Sequence, residues 1–313
     1  MKVTLDLTKL LEEGKITREE HNRLHQLGAA GTGSLAFNIL IGFGVVAVSA
    51  GLIALVPSAM TGIVIGLLVL GAGLGLYAAR IHQWEVLAHI CVLVGALALG
   101  GGVVVLTDAS VGGFLGVAAG FALAGIVARS GLLIVLAVLA FSSCLGARTG
   151  YMHATYFLGI EEPTLTILVF AVLALAAYLV SRAVPSTFER LALQAARTSI
   201  LLVNLGFWIG SLWGDSSERL GFQADENVYI VLWAVVLLAV GWWAARENRR
   251  WVVNTAAIFF AIHFYTQWFE RLGANPVSVL LAGLLALCFA VGLWHSNRAL
   301  FDSGRSSGLS VQA

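Results

Sequence analysis

Apolar residues run through this chain in long blocks rather than at the spacing of a soluble core. Between Arg23 and Arg80 no Asp, Glu, Lys or Arg interrupts the sequence. That stretch is too long for one helix of a soluble protein. It fits two membrane-crossing helices joined by a turn, because each needs about 20 apolar residues to cross about 30 Å of hydrocarbon. Backbone groups in lipid must pair internally, so the segments are helices or a closed barrel. The blocks lack the apolar–polar alternation of a barrel strand, and helices follow. Ten such segments are predicted, at 37–55, 59–79, 84–106, 111–127, 131–145, 164–180, 199–213, 228–245, 251–269 and 277–295. The predicted fold class is therefore all-α: a polytopic transmembrane bundle of about ten spans over 37–295. A short cytoplasmic helical hairpin at 1–30 precedes it, and a flexible cytoplasmic tail at 296–313 follows.

Composition strengthens that reading. Apolar residues make up 59% of the 313 and charged residues 11%, against roughly 25% charged in a soluble domain. The distribution of charge supplies a second test, since Lys and Arg collect in cytoplasmic loops. With the N-terminus inside, Arg148, Arg219 and Arg271 are the basic residues on the outer face, and the other fifteen of the 18 are cytoplasmic. Missing one central span would erase the bias. Trp84, Trp213, Trp251 and Trp268 fall near predicted span ends, where amphipathic rings favour the interface. The expected location is the bacterial plasma membrane with both termini in the cytoplasm. The abundance of Ala, Gly and Arg suggests the bacterial source.

A net charge of +1 leaves no basic surface for nucleic acid. Cys91, Cys144 and Cys288 lie inside apolar runs and read as small hydrophobes. No cofactor or metal site emerges. His21 and His25 stand one helical turn apart with no third ligand near them. His89 and His263 lie at depths that differ by roughly 10 Å, at about 1.5 Å per residue, too far apart to share a haem. No Ser–His–acid, phosphate-loop or H-E-x-x-H pattern occurs, so an enzyme is not expected. The predicted outer loops at 151–163 and 214–227 carry most of the external acids.

Polar residues inside spans are functional candidates by default. No carboxylate or basic group lies deep in a predicted span, which argues against a proton-relay pump. Neutral groups remain, and Asn204, His263, Tyr265 and Gln267 are the candidate solute-facing residues. Glycines recur at helical spacing: Gly62 and Gly66, Gly71 and Gly75, and Gly112, Gly116 and Gly120 followed by Ala124. Such spacing lets helix backbones approach closely in lipid.

At the N-terminus, helices over 5–13 and 17–27 are predicted around Gly14-Lys15. Thr17 and Glu20 form a capping box for the second helix, and Gly14 suits the left-handed residue that ends the first. So few residues cannot hold a core alone. The pair must dock on the bundle, a second copy or a partner, with Leu10, Ile16 and Leu24 as the candidate docking residues. The segment LLEEGKITREE at 10–20 resembles the opening of a class of bacterial predicted membrane proteins of unknown function. In that class an L-x-x-x-G-x-I-[ST]-x-E segment precedes a glycine-rich first hairpin. NILIGFGVVAVSAGLIALVP at 38–57 and YTQWFERLGANPVSVLLAGLLALCFAVGLWHSNR at 265–298 are similar to the first and last hairpins of such proteins. The resemblance implies a multipass fold and no activity.

Two functions compete. One is a transporter or channel for a small neutral or apolar solute. The other is a non-catalytic scaffold or regulatory component that docks partners, or itself, through residues 1–30. A midplane cavity lined by Asn204 or His263 would favour the first.

Overall fold

The computed structural model describes residues 10–11, 14–80, 82–152, 155–217, 222–247, 250–288 and 290–291; the side chains of 22–36, 82, 147–152, 155–158, 216–217, 222 and 250 lie outside that description. Each of the ten predicted apolar segments is helical over most of its described residues. They fall in α1 (Arg18–Leu55), α2 (Ala59–Ala78), α3 (Glu85–Leu106), α4 (Val111–Val127) and α5 (Gly131–Ser143), then α6 (Pro163–Ala183), α7 (Ser186–Trp213), α8 (Glu226–Arg246), α9 (Arg250–Leu272) and α10 (Pro276–Cys288). Among the described residues six helices are long and apolar enough to cross a membrane: the Phe37–Leu55 part of α1, and α2, α3, α6, α7 and α8. This is the make-up of a helical integral membrane protein. Helices α4, α5 and α10 are apolar but shorter.

The chain divides into two compact units, Met1–Gly206 and Phe207–Ala313, with the boundary inside α7. In the first unit, α1 is 38 residues long, about 57 Å at 1.5 Å per residue. It joins the predicted 17–27 helix and the first apolar segment without a break, through the glycines between them. Thr17 caps it. Its hydroxyl accepts from the Glu20 amide at 3.2 Å, and Glu20 accepts from the Thr17 amide at 2.8 Å. These bonds hold the Glu20 carboxyl below its usual range, so the box is complete above the ordinary carboxylate pKa and is lost as pH falls through the lowered one. Gly14 takes the left-handed φ of 66° at the preceding turn. Most of the predicted 5–13 helix, and the 296–313 tail, lie outside the described residues.

Helices α2 and α3 form the most extensive pairing, and glycine is the reason. A Cβ on Gly66 would fall on the Leu99 backbone, and one on Gly95 on the Leu70 backbone. On Gly73 it would lie 2.6 Å from the Val92 nitrogen, and on Gly102 2.8 Å from the Ala59 carbonyl. The helices therefore touch backbone to backbone, a main source of association in lipid. Glycine spacing alone did not select these faces, because Gly71, Gly75, Gly112, Gly116 and Gly120 have nothing within 4 Å of a Cβ position. The α2–α3 pair continues into a core of Val92, Ala96, Val117, Phe121, Leu133 and Ala137. A second cluster joins Val138, Phe170 and Leu202. Asn38 of α1 donates to the Gln83 carbonyl at 2.6 Å, tying α1 to the turn before α3.

Two β-hairpins interrupt the helical pattern where outer loops are predicted. β1 (Ala147–Met152) pairs antiparallel with β2 (Thr155–Ile160), with Tyr151 opposite Tyr156. In the second unit, β3 (Asp215–Ser217) pairs with β4 (Phe222–Ala224). That unit is organised by Trp233 of α8, which is fully buried. Its ring stacks on Phe207 at 6.4 Å and meets His263 edge-on at 4.9 Å.

Candidate functional site

Most polar side chains in the apolar helices are satisfied by their own helix. Ser142, Ser181, Thr198, Ser199 and Ser211 each donate to a carbonyl three or four residues back. Asn204 does the same, its amide nitrogen 2.8 Å from the Ile200 carbonyl. Each of these bonds stays within the helix that carries it and leaves that donor unavailable to a solute. His89 is likewise bonded to the Glu85 carbonyl at 2.7 Å.

Helix α9 differs, and it carries the other three predicted solute-facing residues. His263 is 7% exposed, and its Nδ1 has no hydrogen-bond partner among the described residues. One turn on, the buried Nε2 of Gln267 also lacks one. Between them Thr266 accepts from Trp208 Nε1 at 3.0 Å. His263, Thr266 and Gln267 thus share one helical face as a short polar seam, closed on one side by the Trp233 ring. Tyr265 belongs to a different face. Its hydroxyl donates to the Ala282 carbonyl at 2.9 Å and ties α9 to α10. A third buried polar atom, Thr166 Oγ1 at the start of α6, also has no partner among the described residues. The sequence reading passed over it because threonine early in a helix is so common.

An open groove lies on that Tyr265 side of α9. It has a volume of about 610 Å³ and runs between α8, α9 and α10, walled by Leu237, Trp242, Phe260, Phe264 and Tyr265 among others. Its lining includes small residues in pairs four apart: Gly241 and Ala245 on α8, Ala257 and Ala261 on α9, and Ala286 on α10 with Ala290 beyond that helix's given end. Such pairs ordinarily let helices close up. Here the small faces line open space that bulky neighbours wall. Those pairs are the signal that sequence reading could have used. Among the described residues no charged side chain lines the groove, and its hydroxyl, on Tyr265, is already bonded. Of the four predicted solute-facing residues, Tyr265 alone lines it.

Two acids of the predicted outer loops have structural roles. Asp225 caps α8 by accepting from the Asn227 amide at 2.9 Å. Asp215, on β3, accepts from the buried Tyr229 hydroxyl at 3.3 Å. Among the described residues no group of three or more His, Cys, Asp or Glu stands close enough to hold a metal ion. At the N-terminus, Leu10 and Ile16 are half-buried. Leu24 lies in α1, with its side chain outside the described residues. No family model, curated protein or solved structure matches the chain.

Proposed function

We propose that the chain is a ten-span protein of the bacterial plasma membrane that takes a small apolar solute into the α8–α10 groove, as a transporter or channel for such molecules. The groove carries the reading. Its volume falls in the range of about 300–1,000 Å³ typical of ligand sites, and its apolar wall would charge a desolvation cost to any ion. The absence of deep charges in the sequence agrees with a neutral cargo. We also propose kinship with the class of bacterial predicted membrane proteins that the two chain ends resemble.

Ten crossings, with both ends cytoplasmic, draw support from the arginine distribution. Helices α4 and α5 run only about 25 and 20 Å at 1.5 Å per residue. The turn between them carries Arg129, exposed and at a left-handed φ of 51°. A guanidinium there needs water or headgroups, which favours a full crossing with local thinning of the bilayer over a re-entrant loop. The scaffold reading has one supporting observation. The Phe37–Leu55 part of α1 suffices to span, so Arg18 to Ala36 would project about 28 Å beyond the hydrocarbon as a stalk, with the capped Thr17 turn at its tip.

The groove is tested by photolabelling with a neutral alkyl diazirine alcohol in phosphatidylcholine nanodiscs. Peptides from α8–α10 should carry several-fold more label than the equally lipid-exposed face of α2 at Leu67 and Leu68, and Ala257→Phe should remove the excess. Uniform labelling of all lipid-facing helices would refute the groove as a site.

A further inference from the structure

At one end of the groove, α8 finishes with a basic residue held in place. The Arg246 guanidinium lies over the Trp242 ring, 4.5 Å from its centroid, and Trp242 is itself part of the groove wall. Among the described residues no acid forms an ion pair with Arg246. Arg246 is also exposed, and a guanidinium fork suits a phosphate. The sequence adds Arg249 and Arg250 directly after it, with Glu247 the lone acid in that turn. An apolar slot about 610 Å³ in volume that ends at an arginine is complementary to one kind of molecule.

We infer that the α8–α10 groove is a binding site for an anionic phospholipid of the bilayer, with an acyl chain along the Gly241, Ala257 and Ala286 lining and the phosphate paired to Arg246. This rests on the reading of the groove as a site for apolar molecules and specifies what occupies it. The chain gains packing that annular lipid cannot supply, because small residues on three helices surround it. The headgroup gains a charge-assisted, two-pronged hydrogen bond. A basic pocket between spans near the cytoplasmic face is a recognised setting for acidic headgroups.

Native mass spectrometry of the full chain, released from nanodiscs of phosphatidylcholine with 30% phosphatidylglycerol as the probe, tests the assignment. The wild type should retain phosphatidylglycerol in preference to phosphatidylcholine. Arg246→Gln should cut that preference about tenfold, the loss expected for one charged hydrogen-bonded pair, while the diazirine labelling of the groove persists. Arg182→Gln, at the exposed end of α6, should change nothing and so controls for general surface charge. Ala257→Phe should remove both signals. Unchanged phosphatidylglycerol retention in Arg246→Gln would overturn the headgroup site and leave the groove standing. Loss of groove labelling in the wild type would instead overturn the underlying reading. Equal losses in Arg246→Gln and Arg182→Gln would show only annular lipid and also overturn the proposal.

Discussion

Gly66→Leu is expected to break the α2–α3 pair, whereas Gly71→Leu, one and a half turns along the same helix, is expected to leave it intact. A Cβ on Gly66 meets the Leu99 backbone, and one on Gly71 meets nothing within 4 Å. Overpacking usually costs about 1–3 kcal/mol because neighbouring side chains shift aside. Here the obstacle is backbone, which can yield only by separating the helices, so the upper end applies. At about 3 kcal/mol the melting midpoint should fall by roughly 6–12 °C, read by thermal size-exclusion in detergent. Equal midpoints for the two variants would mean that close backbone approach is not what joins these helices.

The second large effect is expected at Trp233. Its ring is 0% exposed and touches Phe207 from α7, and Phe259 and His263 from α9. Trp233→Ala therefore removes the piece that three helices share. In water-soluble cores such a truncation costs about 3–5 kcal/mol. Lipid solvates the separated helices and weakens the transfer part of that cost, which leaves the cavity part and places the loss near 3 kcal/mol. Trp233→Phe should recover most of it by keeping the stack on Phe207. Trp213→Ala should cost little, since that ring is 72% exposed. A Trp233→Ala protein that melts with the wild type would contradict an aromatic centre for the second unit.

The helices were legible because an uncharged run of about 20 residues has few alternatives. Observed and predicted limits agree within a few residues for most segments. Where they part, the physics differs. Helix α7 starts at Ser186, well before the predicted 199, because Glu189, Arg190 and Arg197 end an apolar run without ending an amphipathic helix whose Leu191 and Ala196 are buried. The sequence reading ends one helix at residue 27 and begins the next at 37, whereas α1 runs unbroken through Gly28, Gly31 and Gly33. The hairpins at 147–160 and 215–224 are short and of mixed polarity, and such strands are set by pairing rather than by pattern. Capping at Thr17 and the left-handed Gly14 were readable because both are local chemistry.

The candidate site was less legible. An intramembrane asparagine and an intramembrane histidine look alike in a sequence, yet Asn204 bonds back to Ile200 while His263 Nδ1 finds no partner among the described residues. Glycine stripes misled in the same way. Gly62 and Gly66 meet α3, while Gly112, Gly116 and Gly120 face open space at their Cβ positions. Spacing marks a face that can pack and says nothing about whether a neighbour arrives. The groove is lined by small residues from three helices.

The account depends most on alternate turns emerging on alternate sides of a membrane. Single cysteines at Glu161→Cys and Ser186→Cys, in a chain whose Cys91, Cys144 and Cys288 have been replaced by alanine, flank α6 at exposed positions. In intact cells an impermeant maleimide should label Glu161→Cys at once, and Ser186→Cys only after the membrane is opened. Labelling of both from the same side would contradict the topology.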